Sequence, residues 1–151
     1  MEMRSRTAAS PEIREFAKRL VIYEAAGDSP PGTDLPAEVR VAEKLRQPLS
    51  RLAGVSGFRA LLVRALTLAK AQAPGLVSVK VNPDGSLEGL GESGNRAQDS
   101  ETGVILIAEL LGLLAAFVGG AFTFRLVLDV WPGFPVLDKE PWRKNDHDGP
   151  G

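Results

Sequence analysis

Apolar residues recur along most of the chain at steps of three and four, and along one stretch at steps of two. Ile13, Phe16, Ala17, Leu20 and Tyr23 share one helical face, while Glu12, Arg14, Glu15, Lys18 and Arg19 fall mostly on the other. Ser10-Pro11 ahead of this run reads as an N-cap followed by proline at the first helical position. The spacing predicts a helix to about Ala26, with Gly27 as a left-handed stop. Residues 27–36, with Pro30-Pro31, Gly32 and Asp34, read as a stiff loop.

A second helix is expected from near Pro36, capped by Asp34 or Leu35, with Ala42, Leu45, Leu49 and Leu52 on its inner face. Pro48 predicts a kink or break inside it. Gly54 should end it. Ser56 should cap a third helix over 57–73, which turns Phe58, Leu61, Leu62, Ala65, Leu68 and Ala69 inward and is closed by Pro74-Gly75. The period then changes. Val77, Val79 and Val81 alternate with Ser78 and Lys80, and Asn82-Pro83-Asp84-Gly85 is a turn signal. A hairpin over about 76–90 follows, with Val81 facing Leu87 and the valine face packed on a helix, since a lone ribbon is marginal in water.

Beyond a polar, acidic loop at 91–100, apolar residues dominate to Trp131. One long helix over about 101–131 is expected, ~45 Å at 1.5 Å rise per residue. Gly119-Gly120 weakens its middle. Phe122, Phe124, Leu126, Leu128 and Val130 alternate like a strand, yet Arg125 and Asp129 are spaced as a helical i,i+4 pair, and helix is the preferred reading. Pro132, Pro135 and Pro141 end regular structure. The expected fold is mainly α: four to five helices packed around the long apolar helix, with one small hairpin. It forms a single domain over 10–138 between disordered ends at 1–9 and 139–151.

Composition removes several function classes. The 151 residues include no cysteine and one histidine, His147, which removes disulfides, thiolate chemistry and multi-histidine metal sites and leaves little for serine–histidine catalysis. Lys+Arg total 18 against 19 Asp+Glu, a net charge of −1, so the whole molecule offers no field to capture nucleic acid or an anionic membrane. The charge is uneven: residues 36–80 hold eight Lys/Arg and two Glu, residues 81–109 one Arg and six Asp/Glu. Packing of these regions on each other, or plain solvation, accounts for that asymmetry. The N-terminal residues carry arginines and no signal-like apolar run, so a cytoplasmic protein is expected.

Five features remain as candidates for function. Residues 48–66 resemble a helix-turn-helix, with Gly54 and Val55 at the turn and Arg51 and Arg59 placed for phosphate contact. The second helix, however, offers Gly57, Phe58, Leu61 and Leu62 where a base reader needs polar groups. Val104–Phe124 is 21 residues with one charge, Glu109, long enough to span a bilayer. A charge inside the span and the missing basic flank favour a core helix instead. Within it Ala108, Gly112, Ala116 and Gly120 lie four apart, a seam for close helix packing or self-association. Glu109 is read as paired, for instance with Arg64, rather than as a general base, and the glycines at 89, 91 and 94 as a flexible loop. Trp131 and Trp142 flank a Pro-Gly-Phe-Pro strip that either docks a partner or folds back over a helix end.

The leading expectation is a small non-enzymatic helical module that acts by protein–protein interaction, with itself as a partner. It implies no cofactor, metal, nucleic acid or small-molecule substrate. A DNA-binding regulator through 48–66 and a single-pass membrane protein with its span at 104–124 are the alternatives.

Overall fold

The structure is a computed structural model that describes residues 9–27, 36–90 and 96–135, with the backbone alone at 96–99. Its elements in chain order are α1 (Pro11–Ala26), α2 (Ala37–Gln72), a 3-10 turn at Pro74–Leu76, β1 (Lys80–Val81), β2 (Leu87–Glu88), α3 (Arg96–Val118) and α4 (Gly120–Val130). The fold is mainly α with one two-stranded antiparallel hairpin, as the periodicities predict.

α1 starts where its cap requires: Ser10 Oγ accepts a hydrogen bond from the Ile13 N–H at 3.1 Å, and Pro11 needs no partner in the first turn. Its inner face is Ile13, Phe16, Ala17, Leu20, Val21 and Glu24. Ala9, assigned to the frayed end, is buried instead, while 1–8 and 136–151 lie outside the described residues. Gly27 closes the helix in extended geometry, φ −80°, not in the left-handed one; its N–H bonds back to Glu24 O, which satisfies the end without a positive φ.

α2 passes through Pro48 without a non-helical torsion and breaks at Gly54, φ 81°. The expected break at Pro48 is absent, and the first arm ends at Gly54, where the sequence places its end. Proline removes one backbone donor, which a helix can tolerate, whereas the fold needs a sharp bend, and glycine alone enters that region without strain. The two arms of α2 bury Val39, Val41, Ala42, Leu45 and Leu49 before the bend, and Phe58, Leu62, Ala65, Leu66 and Ala69 after it.

α3 is the centre of the core. Leu106, Ile107, Ala108, Leu110, Leu111 and Leu114 are all inaccessible, packed between α1 and α2. It begins at Arg96, earlier than the pattern indicates. The expected single helix to Trp131 is two: Gly119, φ 97°, separates α3 from α4. Residues 120–130 are helical, so the strand-like alternation there reflects a helix with one face covered, and Thr123 Oγ donates to Gly119 O at 2.9 Å in its first turn.

The hairpin is shorter than the valine alternation indicates. Val77 follows the 3-10 turn and is exposed, and only Lys80↔Glu88 and Val81↔Leu87 pair, the second as expected. Asp84 Oδ1 accepts from the N–H and Oγ of Ser86 at 2.9 and 2.7 Å, bonds that hold its carboxyl below its usual range. Gly85 has φ 90°, and a Cβ there would lie 3.0 Å from the Phe58 ring. Arg46 and Arg59 donate to the turn carbonyls of Asp84 and Asn82 at 3.3 and 3.1 Å. The basic arms of α2 therefore hold the turn of the acidic hairpin through its backbone carbonyls.

Candidate functional site

Two polar clusters tie the helices together, each around one buried carboxylate. In the first, Glu24 at the end of α1 is buried and accepts three hydrogen bonds at 2.9 Å each: from Arg40 Nε and Lys44 Nζ on α2 and from Trp131 Nε1 after α4. Arg40 also donates to the Glu24 carbonyl at 3.1 Å. Burial pushes the Glu24 carboxyl upward, but the bonds from Lys44, Trp131 and Arg40, with the Lys44 charge, outweigh it and hold the pKa below its ordinary value. Three elements are tied at one carboxylate. In the second cluster, Gln72 Nε2 donates to Glu109 Oε2 at 2.7 Å and Gln72 Oε1 accepts from Arg14 at 2.6 Å, so the buried acid of α3 has an amide from α2 against it, while Arg64 is exposed. Both clusters consist of groups that satisfy one another. Neither brings a nucleophile to a base, and among the described residues no group of three or more His, Cys, Asp or Glu could hold a metal ion.

Pro132–Phe134 folds back over the helix ends. Phe134 is buried, with its ring edge-on to Phe16 at 5.3 Å and to Tyr23 at 5.5 Å, and Gly133 passes so near Tyr23 that a Cβ would lie 2.5 Å from its hydroxyl. Trp131 therefore belongs to the core, and Trp142 lies outside the described residues.

Arg51 is exposed, while Arg59 is half-buried with its Nε committed to Asn82 O. Phe58 and Leu62, at positions a base reader would use, are inaccessible. Two helices are long and apolar enough to cross a membrane, Ala37–Gln72 and Ser100–Val118, and 56% of the apolar window in the second is already buried inside the fold.

The stripe Ala108, Gly112, Ala116 and Gly120 runs past the end of α3 into α4 and divides. Ala108 and Gly112 are buried, Ala116 is exposed and Gly120 half-exposed. A close approach to another helix is found at Gly103, where a Cβ would fall on the Glu38 side chain of α2. Ala108→Leu is expected to destabilise the fold by ~1–3 kcal/mol through overpacking. Ala116→Leu, at an exposed site, should cost under ~0.5 kcal/mol. Thermal melts of the two variants check this contrast.

What the stripe leads to is an uncovered corner. Phe117 is 63% exposed and Phe122 41%, on either side of Gly119, with Ala116 and Ala121 exposed beside them. A Cβ at Gly119 would meet nothing within 4 Å. The sequence places both phenylalanines in a continuous apolar run and so gives no reason to expect them outside. They come outside because the chain turns at Gly119. A cleft of about 510 Å³ between α1 and α3 is lined by Arg14, Lys18, Ile22, Glu101 and Ile105 among others, and one of about 690 Å³ on α2 by Glu43, Arg46, Gln47, Ser50, Arg51 and Val55. The chain matches no protein-family model, no curated protein and no solved structure.

Proposed function

We propose that the protein is a small helical module without enzymatic activity, acting by protein–protein association, including self-association, through the α3–α4 corner. The observation that carries this reading is the exposure of Phe117 and Phe122 around an open Gly119, in a protein whose other described phenylalanines are buried or packed against the core. Aromatic side chains left in water beside small residues give a binding surface most of its affinity. The polar clusters support the same reading, because their charged groups are engaged with one another rather than directed at a ligand.

Phe117→Ser and Phe122→Ser are expected to weaken self-association roughly tenfold or more each, the scale of a buried aromatic anchor, with little change in melting temperature. Sedimentation velocity over a concentration series measures this. Unchanged association in both variants would remove the corner as the contact surface.

A further inference from the structure

Resting on that reading, we infer that the occupant of this surface is a second copy of the chain, paired antiparallel through α4 about a two-fold axis. The outer face of α4 is Ala121, Phe122, Arg125 and Asp129, opposite the buried Thr123 and Val127. Arg125 and Asp129 are exposed one turn apart, and among the described residues neither has an ion-pair partner. An arginine N-terminal to its acid is the weaker order for pairing within a helix, which leaves both charges available.

This stripe is complementary to itself in one orientation. Two α4 helices run antiparallel, with the axis level with Val127, bring Arg125 opposite Asp129 of the partner subunit, and Asp129 opposite the partner's Arg125. The same register sets Phe122 against the exposed Pro132 of the partner subunit. A parallel pairing would instead set Arg125 against its own copy and Asp129 against its own, a repulsive arrangement. An isologous contact of this kind closes at two subunits. A lipid surface fits less well, because opposite charges lie in the middle of the stripe. A helix of 11 residues with the adjoining corner offers less than the ~800 Å² per partner of a standard interface, so a weak, concentration-dependent dimer is expected.

The test uses two single variants of the full chain. Arg125→Asp makes the stripe wholly acidic and Asp129→Arg makes it wholly basic. Each alone should lose self-association by roughly tenfold or more, while an equimolar mixture should recover it as a heterodimer. The double variant Arg125→Asp/Asp129→Arg should again pair with itself. Far-UV circular dichroism confirms that each variant is folded. The pairing geometry is overturned if both single variants associate as the wild type does, or if their mixture stays monomeric while the wild type dimerises. Should that happen while Phe117→Ser and Phe122→Ser still lose association, the corner stands as the contact surface and only the α4 pairing fails. A monomeric wild type would overturn the two together.

Discussion

Glu24→Ala is expected to destabilise the fold by about 3 kcal/mol, the low end of the cost of breaking a buried ion pair. Its carboxylate is 4% exposed and Arg40 is 13% exposed, so removing the acid takes the carboxylate from a guanidinium that keeps its bond to the Glu24 carbonyl, and leaves the Trp131 N–H without its acceptor in a largely dry site. The Lys44 bond contributes less, since its ammonium is 48% exposed and screened by water. The control is Glu15→Ala: its i,i+4 contact with Arg19 is 3.7 Å long between exposed side chains, and its loss should cost under ~0.5 kcal/mol. Urea unfolding gives both values. The same carboxylate makes stability pH-dependent. Its folded pKa lies below its ordinary value of 4.5, so the unfolded chain binds the proton more readily. The stabilisation is fully present above that ordinary value and is lost as pH falls through the depressed folded pKa. In Glu24→Ala this part of the acid dependence should be absent.

Phe58→Ala should cost ~3–5 kcal/mol, the usual range for deleting a buried phenylalanine, and it should release the hairpin. The ring is inaccessible and lies against Gly85, with Arg46 and Arg59 gripping the turn from either side. Two strands of two residues cannot hold themselves together in water, so the ribbon depends on this docking. Hydrogen exchange should therefore quicken at Asn82 and Gly85, whose N–H groups donate to Ser86 O and Asn82 O. Arg59→Ala, which removes one bond to a carbonyl and keeps the ring, should have a much smaller effect on the melt. This also gives Phe58 its meaning: in a nucleic-acid reader that position would face a groove, and here it faces the protein's own turn.

The parts of the fold that local chemistry determines were legible. The Ser10 cap, the inner face of α1, the Asn82–Gly85 turn and the Val81–Leu87 pair each follow from neighbours a few residues apart. What depends on tertiary demand was not. Gly54 ends the first arm of α2 as expected, but that Pro48 passes without a break is decided by the packing of the arms. Gly119 and Gly120 weaken a helix wherever they stand, and the left-handed turn at Gly119 is visible only in three dimensions. The stripe from Ala108 to Gly120 is continuous by spacing, but the neighbouring helices cover only its first half. Glu24 had a signal that spacing could have supplied. It lies four residues beyond Leu20 and seven beyond Ala17, on the apolar face of α1, where an acid must find partners. The exposure of Phe117 and Phe122 had none, because hydropathy does not distinguish an apolar residue in a core from one left exposed at a corner.

The mass of the full chain in detergent-free buffer decides whether the chain associates with itself. Sedimentation equilibrium from low to high micromolar concentration should show a reversible shift from the 16.1 kDa chain toward twice that mass, weakened by salt as a contact with paired charges requires. A single 16.1 kDa species throughout that range, or a protein recovered only with detergent, would contradict it.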